Sequence, residues 1–123
     1  MALSEGKYTG EFILTELDGT ISRDTVTITV PAATLLKPGQ VLGVLTIGGK
    51  YVPYDDANTD GSGTAKAINY APLDNSGSVA PVDFEAVVID FAAEVRGADL
   101  VWGGADPVLG AADLFAVGIK VRG

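Results

Sequence analysis

From residue 25 to residue 30 the chain alternates without a break, T-V-T-I-T-V, hydroxyl against β-branched apolar. A period of two sends Val26, Ile28 and Val30 to one face and the threonines to the other. This predicts a strand with one wet side and one buried side, ended by Pro31. Residues 41–47, V-L-G-V-L-T-I, predict a second strand. Gly43 inside it points to a bulge or a close backbone contact. Before it, K-P-G-Q at 37–40 fits a type II turn. After it, Gly48 and Gly49 predict a hairpin turn, and residues 50–54 the returning strand. Pro53 donates no ladder bond, so that strand is an edge or stops there. Upstream, residues 8–17 read Y-T-G-E-F-I-L-T-E-L, with the apolar centre Phe12, Ile13 and Leu14 between Glu11 and Glu16. They predict an extended segment, closed by the turn signal of Asp18 and Gly19.

The second half continues in short pieces. Residues 55–64 and 74–78 are polar and predict loops, and residues 65–70 a short strand. Residues 83–95 predict one long strand centred on Ala86, Val87, Val88 and Ile89, with a helical reading competing at 91–95. Residues 100–102 form a brief extended piece. Residues 106–117 are the one good helix. Asp106 can cap its N-terminus and Pro107 suits its first position. Leu109, Ala112, Phe115 and Ala116 fall on one face, and Gly118 stands where a left-handed terminating residue belongs. Residues 119–121 close the chain as a last strand. The expectation is a mainly β fold with one short C-terminal helix. Trp102 and Phe115 are its candidate core or interface anchors.

Composition narrows the function. A chain of 123 residues suits one domain, and its 16 glycines and 6 prolines fit short strands with many turns. Cysteine and histidine are both absent. That excludes thiolate chemistry, imidazole ligation and any Ser-His-Asp triad. Sixteen acidic residues against eight basic ones give a net charge of −8, which repels nucleic acid and anionic membranes. The first ten residues lack an apolar signal region, and no apolar run is long enough to cross a membrane. Synthesis and use in the cytosol, or assembly there into something larger, are expected.

Several motifs were weighed for chemistry. D-A-N-T-D-G at 56–61 opens like a calcium loop, but Ala67 stands where a bidentate Glu is needed. The favoured reading is a surface loop. Residues 43–50 fail the phosphate-loop spacing, and Tyr51 replaces its Ser or Thr. Ser62 lacks both a nucleophile elbow and a base. Asp83 and Glu85, two apart on a strand, could form a carboxylate pair, though a solvated face gives the same spacing. Tyr51, Tyr54, Tyr70 and Trp102 are the possible stacking platforms of a carbohydrate-binding or adhesin module, the runner-up reading. No cofactor is expected.

The ordered set G-E-F-I-L-T-E (10–16), S-R-D-T-V-T-I (22–28), V-L-G-V-L (41–45), G-K-Y-V-P-Y-D (49–55) and D-G-S-G (60–63) comes first. It continues with A-V-V-I-D (86–90), A-E-V (93–95), A-D-L-V-W (98–102) and G-I-K-V-R (118–122). Together these segments resemble the lambda-like bacteriophage head decoration protein family over nearly the whole chain. The resemblance implies a compact β-clip-like fold and a non-enzymatic virion protein. It implies homotrimers on the outer capsid surface, at threefold and quasi-threefold positions of the expanded head, bound to the major capsid protein and resisting internal DNA pressure. It divides the chain into an extended N-terminal arm at 1–20 and a β-rich domain at 21–123. The arm is the expected capsid-binding element, through Tyr8, Glu11, Phe12, Ile13, Leu14 and Leu17; the competing reading makes residues 8–17 an ordinary core strand within their own domain. Neither nucleic acid nor membrane is expected as a partner.

Overall fold

A computed structural model describes residues 12–16, 23–102 and 105–122. The chain is mainly β with one short helix near the C-terminus, as the turn-rich pattern predicted. In order run β1 (Ile13–Glu16), β2 (Arg23–Val30), β3 (Thr34–Leu36), β4 (Val41–Val44) and β5 (Tyr51–Pro53). Then come β6 (Ala65–Asn69), β7 (Leu73–Asn75), β8 (Val82–Ile89) and β9 (Ala93–Arg96), a 3₁₀ turn at Gly97–Asp99, helix α1 (Pro107–Ala116) and β10 (Ile119–Arg122).

Five strands close into a barrel in the order β2-β5-β4-β6-β8. Its longest seam is the antiparallel ladder from Arg23 opposite Ile89 to Val30 opposite Val82. A three-stranded sheet, β1-β9-β10, lies outside the barrel, and β3 pairs with β7 as a separate ribbon. In the three-stranded sheet β9 runs antiparallel to β1 and parallel to β10.

Alternation within the barrel wall explains why both faces of some strands are apolar. Leu42, Ala67 and Val88 point into the barrel, where they meet Ile28, Val30, Leu36 and Ala86. Their neighbours Val41, Ile68 and Ile89 point outward into a second core with Phe12, Val95, Leu114 and Ile119. A strand covered on both sides reads as a continuous apolar run rather than as an alternation. Close packing explains Gly43. A Cβ there would sit 2.6 Å from the Ser62 Cα, and the β4–β6 register shifts between Leu42 and Gly43. Both expectations for this residue are met.

Four elements differ from the sequence reading. The long strand at 83–95 is two strands, because the chain turns between them, with Ala92 at φ 50°. Its apolar residues therefore serve two sheets. The strand at 41–47 ends at Val44, where the turn toward β5 begins. Strands β3 and β7 went unread, being only three residues each.

Candidate interaction site

The N-terminal strand is the first expected site element. Phe12 is fully buried and belongs to the outer core, and Ile13 packs against that core. The Arg96 amide donates to the Phe12 carbonyl at 2.8 Å, and β1 pairs with β9 from Ile13 opposite Val95 to Glu16 opposite Ala93. Phe12 and Ile13 thus fill space within their own domain, where the arm reading had them reaching away from it. The physical reason is the cover that β9, β10 and α1 provide. Leu14 lies in β1 with its side chain outside the described residues, and Tyr8, Glu11 and Leu17 lie outside them altogether.

The two candidate anchors separate. Trp102 is half-buried against the outer core, its ring edge-on to Tyr54 with centroids 6.4 Å apart and planes at 73°. Phe115 is 68 % exposed, so of the two readings, core or interface anchor, the structure leaves it only the second. The inner face of α1 is set by Gly110 and Leu114. A Cβ on Gly110 would strike the Trp102 ring at Cζ3 and lie 2.9 Å from the Tyr54 ring. The missing side chain is what lets the helix close on both aromatics. Leu109 and Phe115, two of the four residues that share a face in the sequence reading, point outward. The helix carries a single charged residue, Asp113, so no polar face marks which side is wet.

Helix ends follow expectation. The Asp106 carboxylate accepts from the Val108 amide at 2.9 Å with Pro107 behind it, and Gly118 at φ 94° ends the helix. Asp113 turns inward and accepts from the Ala65 amide at 3.1 Å. Asp56 accepts from the Asp106 amide at 3.0 Å, which ties the loop after β5 to the helix start.

Of the candidate catalytic carboxylates, Asp83 serves structure. Asp83 accepts from Lys50 at 2.6 Å and from Thr29 at 2.7 Å. These two partners, Lys50 first, hold its carboxyl below the ordinary range, the opposite of what a general acid needs. Asp60 accepts from the Ser62 hydroxyl at 2.5 Å and its amide at 3.1 Å, which likewise lowers it and makes residues 56–61 a hydrogen-bonded turn. Among the described residues no cluster of acidic side chains could hold a metal ion. An open groove of about 640 Å³ beside this loop is lined by Leu35, Leu45, Val52, Tyr54, Asp55 and Asp60 among others. Asp55 accepts from the Ala57 amide at 3.0 Å.

The four aromatic platforms are turned inward or covered. Tyr54 is buried, Tyr51 packs on the barrel interior and Trp102 on the outer core. The Arg23 guanidinium stacks over the Tyr70 ring at 4.3 Å. Among the described residues these side chains form no catalytic constellation.

Comparison with known proteins assigns the family. The family described as bacteriophage lambda head decoration protein D matches residues 2–113. The chain belongs to that family. No curated protein matches it. The match takes in β1, the whole barrel and α1 as far as Asp113. A head decoration protein has a structural role associated with the phage capsid, and family members are normally not enzymes. No helix among the described residues is long and apolar enough to cross a membrane.

Proposed function

We propose that this head decoration protein binds as a homotrimer to the outer surface of the expanded phage head. It sits at threefold and quasi-threefold positions and stabilises the shell against internal DNA pressure. The observation that carries the reading is the family match, which begins at residue 2 and so includes the N-terminal segment. The major capsid protein is the partner, met by Tyr8, Glu11, Leu14 and Leu17. An extended segment that adds to a sheet edge takes register from backbone bonds and specificity from alternate side chains. The net charge of −8 suits an outward position, away from packaged DNA.

Magnitudes favour a multivalent particle. Phe12 and Ile13 are committed to the protein's own core, so Tyr8, Leu14 and Leu17 are the apolar side chains left for the shell. Burying them returns roughly 1.5–3 kcal/mol each, against association costs of about 4–15 kcal/mol. One chain alone is near balance. Three linked chains bind tightly because the second and third contacts are intramolecular.

The test is cosedimentation with purified expanded and unexpanded heads. Deletion must spare Phe12, since removing residues 1–17 would take out a core side chain. A variant lacking residues 2–10 is expected to keep its fold and lose the expanded heads. Residues 2–10 hold only Tyr8 of the four contacts, so full binding by that variant with Glu11→Ala, Leu14→Ala and Leu17→Ala added would remove the arm from the mechanism. Wild-type protein that ignores expanded heads would refute the proposal as a whole.

A further inference from the structure

Among the described residues nothing is packed on the outward face of α1. Val108 is 76 % exposed, Leu109 51 % and Phe115 68 %, with Ala112 and Ala116 exposed between them. Helical geometry places these five on one side, opposite Gly110 and Leu114. Phe91, 51 % exposed, extends the surface. Its ring lies beside Gly118, whose amide donates to the Phe115 carbonyl. Two aromatic rings of roughly 150–250 Å² each, with a valine and a leucine, leave on the order of 400 Å² of apolar surface open. Patches of that size mark interaction sites.

Charge identifies the occupant. This is a charge-free face on a chain of net charge −8, because the helix's one charged residue, Asp113, is turned to the Ala65 amide. Its two ends differ in sign. Asp55, Asp56 and Asp106 gather where the helix begins, tied by the bond between Asp56 and the Asp106 amide. Just past where the helix ends, Lys120 and Arg122 of β10 meet Glu94 of β9, two cations against one carboxylate, so this end stays net basic. A second molecule of the same sequence can lay uncharged surface on this face and set its acidic end by the first one's basic end.

We infer that the Val108, Leu109 and Phe115 face of α1, with Phe91, is the surface through which copies of this chain associate; the inference rests on the trimeric reading above and supplies its contact. A threefold ring needs a heterologous contact, which a face with unlike ends can provide. The area is about half of the ~800 Å² per partner of a standard interface. Association is therefore weak and concentration-dependent until the shell gathers the copies.

Sedimentation equilibrium on the full chain tests this, with Phe115→Lys and Leu109→Lys as variants and Val79→Lys as control. Each substitution makes the chain less acidic, so relief of general repulsion would strengthen association in all three. The face predicts the reverse at Phe115 and Leu109, a weakening of about tenfold or more. Val79, 99 % exposed on the loop before β8, stays at or above wild type. Circular dichroism should show unchanged folding, since both side chains are already exposed. Wild type that remains monomeric at millimolar concentration, or Phe115→Lys that associates as wild type does, overturns the inference. So does Phe115→Lys that associates normally but fails to bind heads, which would put the face against the shell. Wild type that associates through this face yet ignores expanded heads defeats the capsid reading and leaves the inference standing.

Discussion

At the scale of single residues, Gly110 shows how a substitution favoured by local propensity can still destabilise. Alanine in a helix interior is better than glycine by about 1 kcal/mol. Here its methyl would collide with the Trp102 and Tyr54 rings, and overpacking costs about 1–3 kcal/mol. Gly110→Ala is expected to lower stability by about 1 kcal/mol or more in urea titration; a gain would mean that the rings move aside freely. Asp90 carries a pH signature. Burial first, and the Asp24 carboxylate second, raise its folded pKa above the ordinary 3.8. Its charge therefore opposes folding above the folded pKa, and the penalty vanishes as pH falls below the unfolded value. Asp90→Asn should raise the melting temperature at pH 7 and have little effect below about pH 3.8. Asp83 and Glu94 have the opposite sign, held low by Lys50 with Thr29 and by Arg122. Their contribution is present above the unfolded pKa and is lost as pH falls through the folded one.

Elements were legible where the local signal was complete. The helix was bounded by its own chemistry, Asp106 and Pro107 at one end and Gly118 at the other. Asp106→Ala should remove the bond from Val108 and cost about 1 kcal/mol, read from the denaturation midpoint; an unchanged midpoint would mean that water replaces the cap at no loss. The orientation of that helix was not legible. An apolar helix with a single acid has no wet stripe, and its inner face is chosen by a residue with no side chain. Strand β2 was plain because one of its faces is wet. Strands β8 and β9 ran together because residues 86–93 are apolar except for Asp90, and only the turn at Ala92 separates the two. Asn75 was read as a loop residue. Its amide donates to the carbonyls of Val30, Pro31 and Ala80 at 3.0–3.1 Å, tying β7 to the end of β2 and the chain before β8. Partners that distant in sequence leave no local mark. The same limit hid the fate of Phe12, since nothing near it announces β9.

At the scale of the whole molecule, the barrel wall is shared property. Val41 and Leu42, Ala67 and Ile68, and Val88 and Ile89 are neighbours in sequence that belong to different cores. Neither core can melt without baring one face of the same strands. Unfolding in urea should therefore be a single transition, with Trp102 fluorescence reporting on the outer core and far-UV circular dichroism reporting mainly on the barrel. Coincident curves are expected; a fluorescence change that precedes the loss of strand signal would show that the outer layer of β1, β9, β10 and α1 peels away by itself. Phe12→Ala should be among the most damaging single changes, at about 3–5 kcal/mol, a large part of a small domain's total stability.

The placement of β1 against β9 also governs the order of events during synthesis. Phe12 and Ile13 leave the ribosome early, whereas their cover, Ala93, Val95 and Ile119, is made late. Contacts this distant along the chain form slowly. A nascent polypeptide released before Ile119 keeps an oily N-terminal segment in water, open to chaperones or to clumping. Only translation products that extend through Ile119 can shelter it.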